Sequence, residues 1–141
     1  MPAPVELIKR VPLFADLGQR ELEQLAASFK ERRFDAGVAI AEEGKGGIGF
    51  FVVGEGEATV TVQGEQVHTL RSGDYFGEIA LIDEGARTAT VRADTSLLCY
   101  GLTSWDFRPL VEMNASIAWK LLQAMAKLVR GANQRDDQPS A

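Results

Sequence analysis

Residues 73–91 read GDYFGEIALIDEGARTATV, a stretch that departs from the strand-and-turn pattern on either side of it. Gly77 and Glu78 stand at the start of a short helix-like turn, and Arg87 and Thr88 open a strand. The first N–H groups of a helical turn lack intrahelical partners and favour negative charge, while an arginine fork can bind two phosphate oxygens at once. Thr88 adds a hydroxyl donor beside Arg87. Together these residues are the components of an anion site.

Glu78 is the residue of this stretch that cannot bind a phosphate, because like charges repel. In such a site it would have to accept a hydrogen bond from a neutral hydroxyl. A phosphate together with a sugar hydroxyl indicates a nucleotide. The same residues also permit a purely structural interpretation, in which Glu78 and Arg87 pair with each other or with solvent and contribute little. Spacing alone leaves both interpretations open.

The sequence around this stretch is typical of a β-sandwich or barrel. Between Val38 and Leu102, short segments of β-branched and aromatic residues alternate with glycine-containing turns. The alternation is clearest in Ala58–Val62, where alanine and valines share one face and threonines the other. The glycines are interpreted as turn residues, since their spacing does not match a phosphate-binding loop before a helix. Further strands are predicted at Phe50–Val53, Val67–Leu70, Arg87–Ala93 and Leu97–Leu102.

Helices are predicted on both sides of this region. The first spans apolar positions at helical spacing from Leu22 to Phe29, and the pattern breaks at Phe34–Gly37. After Thr103, Ser104 is predicted to cap a short helix, and Met113–Ala115 breaks the chain before a longer helix that runs to about Asn133.

The last helix carries an unusually wide apolar stripe made of two seams. In one interpretation the whole stripe is buried against the barrel of its own chain. In the other, which we favour, one seam packs on that barrel and the other contacts the same helix of a partner subunit. The first seam comprises Ile117, Leu121, Ala124 and Leu128, and the second comprises Ala118, Leu122, Met125 and Val129.

Composition excludes several classes of protein. The 141 residues, 45% of them hydrophobic and 25% charged, suit one soluble globular domain with one core. A net charge of −5 offers no footprint for nucleic acid, and no apolar run is long enough to span a bilayer. Because Cys99 is the only cysteine, an intramolecular disulfide and a cysteine-based zinc site are excluded. The single cysteine and the absence of a signal peptide favour a cytoplasmic location.

No set of catalytic residues is apparent, and no metal site is predicted. His68, the only histidine, lies in a predicted strand without a nearby nucleophile, and Cys99 is expected in the core. Asp83 and Glu84 are typical of a solvated loop rather than an acid–base pair. We therefore expect a protein that is not an enzyme.

The stretch from residue 76 to residue 91 resembles the phosphate-binding cassette of the cyclic nucleotide-binding domain family. The resemblance lies in Phe76–Leu81, in Arg87–Val91 and in the interval between Glu78 and Arg87, and family order extends over about residues 5–133. It implies an eight-stranded jelly-roll barrel, a double-stranded β-helix, flanked by N-terminal and C-terminal α-helices. The chain is expected to be one domain over residues 1–141: a helical segment over about 5–30, the barrel over about 34–103, helices over about 104–133 and a tail at 134–141.

The resemblance also implies roles for individual residues. Arg87 would bind the exocyclic oxygens of a cyclic phosphate, and Glu78 would accept from the ribose 2′-hydroxyl. Thr88 would donate to the phosphate and tolerate either purine, so the ligand is expected to be cAMP or cGMP, with no further cofactor. The remaining expected ligand-binding residues are Gly77, the backbone N–H groups of Ile79, Ala80 and Ala89, and the walls of the sugar and base pocket at Val62 and Leu81.

The chain departs from the family pattern in two places. Ala86 stands where members commonly carry proline before the arginine, which removes a constraint on φ and leaves every donor in place. The last helix, from which family members take purine contacts, has apolar or small residues here.

Two functions follow as hypotheses. The first is a stand-alone sensor that binds a cyclic nucleotide and moves its C-terminal helices, with a possible homodimer through the last helix and an unidentified downstream effector protein as partners. The second is an interaction or dimerisation module that keeps the fold and binds no nucleotide.

Overall fold

The computed structural model describes residues 3–46, 49–77, 81–82 and 87–137, with the backbone alone for 132–137. Four α-helices are described: α1 (Val5–Lys9), α2 (Gln19–Ser28), α3 (Ser104–Met113) and α4 (Ala115–Asp137), with a 3-10 turn at Pro12–Phe14. The strands are β1 (Lys30–Phe34), β2 (Ala39–Ala41), β3 (Gly49–Glu55), β4 (Ala58–Val62), β5 (Glu65–Leu70), β6 (Tyr75–Phe76), β7 (Thr90–Ala93) and β8 (Leu97–Thr103).

The strands form two antiparallel sheets of four strands each. One sheet has the order β1-β8-β3-β6 and the other β2-β7-β4-β5. The prediction of a mainly β protein with flanking helices is therefore confirmed. Within the described ranges no strand of one sheet pairs with a strand of the other, so the predicted closure into a barrel is not confirmed.

Strand β3 explains how the core is divided, because both of its faces are buried. Phe50 and Val52 point to the helices and lie in one apolar cluster, while Phe51 and Val53 point to the second sheet and lie in another. Alternate residues of a strand point to opposite faces, so a strand covered on both sides reads as a continuous apolar run. This is why the sequence here is Phe-Phe-Val-Val rather than an alternating pattern.

The cluster between the sheets contains buried residues of β2, β3, β4, β5, β7 and β8. Cys99 lies in it with no exposed surface, which confirms its assignment to the core, and burial raises the pKa of its thiol to about 12. A thiol that remains protonated at neutral pH is a weak nucleophile. Cys99 therefore acts as a packing residue.

The cluster beneath the helices is centred on Phe50. The ring centroids of Phe14, Phe29 and Tyr75 lie 5.8, 6.0 and 6.0 Å from that of Phe50. Edge-to-face and tilted rings at these distances contribute beyond the area they bury. Phe50 thus joins the N-terminal helical segment to the sheet.

Three strands, β1, β2 and β6, were not predicted from the sequence. β1 has the sequence Lys-Glu-Arg-Arg-Phe, begins at Lys30 and pairs with β8 along its whole length. The barrel was predicted to begin only at about residue 34. Charged residues are common on edge strands, where they hinder pairing with other chains, and they hide the alternation. β2 and β6 are only three and two residues long.

Two predicted boundaries need correction. The segment 87–89 precedes a strand that starts at Thr90, so the predicted strand Arg87–Ala93 is too long at its beginning. The cap of α3 is Thr103, not Ser104: the Thr103 hydroxyl accepts a hydrogen bond from the Asp106 N–H at 3.2 Å. The break before α4 is confirmed at Asn114, and α4 extends to Asp137, beyond the predicted end at about Asn133.

Helix α4 packs mainly on the 3-10 turn and on α3, so its chief support is the N-terminal helical segment rather than the barrel. Ile117, Leu121 and Ala124 of the first seam are buried in the cluster beneath the helices, but Leu128 of the same seam is 41% exposed. Leu122 and Val129 of the second seam are also exposed. The whole stripe is therefore not buried within one chain.

Polar contacts hold the same face of α4. The Glu21 carboxylate accepts hydrogen bonds from Lys120 Nζ at 2.5 Å, Ser116 Oγ at 2.8 Å and the Gly18 N–H at 2.8 Å. Lys127 Nζ lies 2.8 Å from the carboxylate of Asp16. The bond from Lys120, then that from the Gly18 N–H, lowers the pKa of Glu21 from 4.5 to about 2.

We predict that Leu121→Ala and Leu122→Ala, neighbours on α4, differ sharply in stability. Leu121 is 5% exposed and Leu122 is 59% exposed. Leu121→Ala should lower the free energy of unfolding by about 2–4 kcal/mol because it leaves a cavity, whereas Leu122→Ala should change it by about 0.5 kcal/mol or less. Urea denaturation of both variants at low protein concentration measures this, and equal losses would contradict the docking of α4.

We also predict that Glu21→Gln removes a pH-dependent part of the stability. Because folding lowers the pKa of Glu21 from 4.5 to about 2, its contribution is present above pH 4.5 and is lost as the pH falls towards 2. At pH 7 the free energy of unfolding of the variant should be lower by about 1 kcal/mol. The loss is smaller than the full pKa shift would give, because the Glu21–Lys120 pair is partly exposed to solvent. Glu23→Gln, an exposed carboxylate on the same helix, is the control for unfolding curves between pH 2 and 7. Parallel curves for wild type and Glu21→Gln would contradict the role of Glu21.

Candidate functional site

The main chain at Arg87 is fixed against the loop that follows β2. The Gly44 N–H donates to the Arg87 carbonyl, and the Arg87 N–H donates to the Lys45 carbonyl, both at 2.9 Å. A reciprocal pair of backbone bonds holds the residue as a strand partner would. The Arg87 side chain therefore starts from a defined position.

The Arg87 guanidinium is only partly satisfied. Nη2 donates a hydrogen bond to the Gly49 carbonyl at the start of β3, while Nε is buried without a hydrogen-bond partner in the part of the chain that is described. Burial lowers the pKa of Arg87 below its ordinary value, although an arginine remains charged at neutral pH. An unpaired buried donor on a charged group costs free energy, and an anion at Nε would offset that cost.

Gly77 lies directly against this guanidinium. Its φ is +84°, a conformation that L-residues rarely adopt. A Cβ at this position would overlap Nη1 of Arg87 and lie 2.7 Å from the Gly49 carbonyl oxygen. Both the backbone conformation and the approach of Arg87 therefore require glycine.

Arg87 borders a cavity of about 300 Å³. This volume is at the lower end of the range for small-molecule sites. Its walls come from β1, β2, the loop after β2, the adjoining parts of β3 and β8, and the first turn of α3. The lining residues outside β2 are Lys30, Arg32, Glu42, Lys45, Gly46, Gly49, Phe51, Arg87, Gly101, Leu102, Thr103 and Asp106.

The predicted site residues do not all gather at this cavity. Gly77 and Arg87 are in contact, as expected of one site. Thr88 and Ala89 follow Arg87 in the chain; Thr88 is exposed and Ala89 is half-buried. Leu81 is buried in the cluster beneath the helices, and Val62 is half-buried at the end of β4; neither is among the residues that line the cavity. Their predicted role as walls of the sugar and base pocket stays a prediction.

Three predicted ligand-binding residues, Glu78, Ile79 and Ala80, lie outside the described residues, as do Ala86, Asp83 and Glu84. The predicted acceptor for a ribose hydroxyl and two of the predicted backbone donors therefore stay predictions.

Lys30, Arg32 and Asp106 line the cavity, although none of them was predicted as a site residue. Lys30 and Arg32 alternate along β1, which their period of two would have shown had β1 been recognised as a strand. Asp106 lies in the first turn of α3 and has no comparable signal in the sequence.

The described ranges contain no group of three or more histidine, cysteine, aspartate or glutamate side chains arranged to bind a metal ion. None of their helices combines the length and apolar character needed to cross a bilayer.

Comparison with proteins of known sequence identifies relatives of two kinds. A cAMP-dependent protein kinase regulatory subunit from Yarrowia lipolytica is 45% identical over 106 residues, which are 74% of this chain and 28% of the relative. A cyclic nucleotide-gated potassium channel from Rhizobium etli is 35% identical over 113 residues, 80% of this chain and 32% of the relative. The chain thus spans about a third or less of the length of these relatives.

Solved structures agree on the fold. The N-terminal domain of a transcriptional regulator from Streptomyces coelicolor A3(2) superposes with a TM-score of 0.86 at 28% identity, covering 96% of this chain and 99% of that one. The catabolite activator protein of Thermus thermophilus gives a TM-score of 0.71 at 27% identity, covering 89% of this chain and 62% of that one.

The sequence pattern of one family matches residues 31–114, which are more than half of the chain and include all eight strands except the first residue of β1. The chain belongs to the cyclic nucleotide-binding domain family.

Proposed function

We propose that this chain binds a cyclic nucleotide, cAMP or cGMP, with the cyclic phosphate against Arg87, and acts as a stand-alone sensor. The observation that carries the proposal is the Arg87 side chain. The Arg87 main chain is fixed by two hydrogen bonds to the loop at Gly44 and Lys45. The guanidinium contacts Gly77, and its buried Nε, in a residue that borders the cavity, has no hydrogen-bond partner among the described residues.

A cyclic phosphate suits this arginine because it supplies one negative charge and two exocyclic oxygens. The guanidinium presents Nε and the Nη groups in one plane, so it can meet both oxygens at once. The hydrogen bond from Nη2 to Gly49 fixes the plane of the fork before the ligand arrives. Binding would satisfy Nε and offset the desolvation that lowers the pKa of Arg87.

The remaining contacts follow from the family resemblance. Glu78 accepts from the ribose 2′-hydroxyl, and the backbone N–H groups of Ile79, Ala80 and Ala89 hold phosphate oxygens. Thr88, which is exposed and follows Arg87 in the chain, donates a hydrogen bond from its hydroxyl to the phosphate. Its side chain is compatible with either purine. In this proposal Val62 and Leu81 contact the sugar and base, which requires the ligand to reach beyond the present cavity.

The response to ligand passes through α3. Thr103 and Asp106 line the cavity, and the bond between them caps α3. A ligand that alters the position of this first turn also moves α3, on which α4 rests. The ligand shifts this equilibrium only by the difference in its affinity for the two positions of the helices.

The eight strands would form a jelly-roll barrel, residues 1–141 would act as one cytoplasmic domain, and the function would be regulatory rather than enzymatic. A downstream effector protein would receive the signal, and neither nucleic acid nor a membrane would be a direct partner. The acidic net charge of −5 supports the exclusion of nucleic acid.

A second candidate function is an interaction or dimerisation module without a nucleotide. The observation that favours it is the exposed apolar surface of α4, formed by Trp119, Leu122, Met125, Leu128 and Val129. A contiguous apolar surface on a soluble protein commonly marks an interface. A homodimer through α4 is compatible with both candidate functions, so the two are separated by ligand binding and not by oligomeric state.

We predict that Arg87→Ala weakens binding of cAMP and cGMP by about 2–5 kcal/mol, because the phosphate loses its charged partner. Arg92→Ala is the matched control: Arg92 lies on β7, is exposed and donates to the Gly37 carbonyl at 2.8 Å. Calorimetric titration of wild type and both variants measures the affinities. Unchanged affinity in Arg87→Ala would contradict the assignment of Arg87, and a wild type that binds neither nucleotide would favour the interaction module.

We further predict that Gly77→Ala abolishes detectable binding, whereas Gly64→Ala does not. Gly64 has nearly the same φ, +82° against +84°, but a Cβ there meets nothing within 4 Å. Both variants therefore carry similar backbone strain, and only Gly77→Ala displaces Arg87. Calorimetry together with thermal unfolding separates the two effects. Equal losses of affinity would show that strain alone, and not the contact with Arg87, is responsible.

A further inference from the structure

Strand β1 presents two unlike faces at the edge of its sheet. Lys30 and Arg32 are exposed and line the cavity. Glu31 and Arg33, on the opposite face, pair with each other at 3.0 Å. The strand therefore has two cations on the cavity side and a neutralised pair on the other side.

The charges around the cavity are not balanced. Lys45 is paired with Glu42 at 2.9 Å, so this pair adds no net charge. Within the described ranges, no ion pair involves Lys30, Arg32 or Arg87, and Asp106 is the remaining carboxylate of the lining. The described residues of the lining thus carry a net positive charge in a chain whose total charge is −5.

We propose that Lys30 and Arg32 capture the anionic ligand by long-range attraction and guide it to Arg87. The inference rests on the proposed function, since it assigns a step in the binding of a phosphate-bearing ligand to that same cavity. Clusters of one sign of charge at a cleft raise association rates, and they do so most at low ionic strength. Because the chain as a whole is negative and repels an anion at long range, a local excess of exposed cations on the cavity lining favours association.

The division of roles follows from burial. Arg87 is partly buried and fixed by its contacts, so it determines how long the phosphate stays. Lys30 and Arg32 are exposed and long, and charges of this kind act mainly on the association rate and its salt dependence. The signature of capture is consequently a change in the association rate constant at low salt without a change in the dissociation rate constant.

The test is stopped-flow binding of fluorescent derivatives of cAMP and cGMP to the full chain. The test variant is Lys30→Gln/Arg32→Gln. The matched control is Arg33→Gln/Arg71→Gln, which removes two exposed charges that do not line the cavity. Both variants have the same net charge. A difference between their association rate constants therefore reflects where the removed charges lie and not the total charge of the protein.

At about 20 mM salt we expect the test variant to associate about 5–10-fold more slowly than the control, with dissociation rate constants within about twofold of each other. At about 0.5 M salt the difference should vanish, because the screening length falls to about 4 Å. Equal association rates at low salt, a difference that persists at high salt, or a change confined to dissociation would each overturn the capture role. A wild type that binds neither derivative would instead overturn the proposed function, and this inference with it.

Discussion

The partly buried guanidinium of Arg87 is the constraint around which the site is organised. Its charge is desolvated, yet only Nη2 has a described protein partner, the Gly49 carbonyl. A cation in this state is tolerated only where the surrounding structure holds it, and here the backbone bonds to Gly44 and Lys45 and the bare surface of Gly77 do so. The fold thus maintains an unfavourable arrangement that an anion would relieve.

The elements that hold Arg87 depend in turn on β3. Gly49, which accepts from Arg87, is the first residue of that strand, and the next four residues are packed on both faces. Phe50 joins the strand to the N-terminal helical segment, and Phe51 lies in the lining of the cavity. Packing on both sides fixes the position of the Gly49 carbonyl far more firmly than a strand with one solvated face would.

The sequence predicted this arrangement where the residues themselves carry a pattern. The strand Ala58–Val62 could be anticipated because pleating leaves a local signature of alternating residues. Gly77 and Arg87 were assigned to one candidate site, but their direct contact was not predicted. β1 could not be predicted, because its charged residues show no apolar alternation. Lys30 and Arg32, which lie on β1, were therefore not recognised as residues of the cavity. The support of α4 by the N-terminal segment is a long-range contact between the two ends of the chain, which no local pattern encodes.

In the proposed sensor, this long-range support limits how a signal leaves the site. Helix α4 rests on the 3-10 turn and α3 and is tied to α2 through Glu21, and none of its described residues lines the cavity at Arg87. A ligand can move α4 through the turn at Thr103 and Asp106, which borders the cavity and begins α3, or through Leu81, which is buried in the same cluster as Ile117 and Leu121. The buried side chains of Ile117 and Leu121 resist such movement, so only a ligand with a large difference in affinity between the two helix positions could displace α4. In a sensor of this design, the free-energy difference between the two positions of α4 therefore sets the lower bound on the differential binding energy that the ligand must supply.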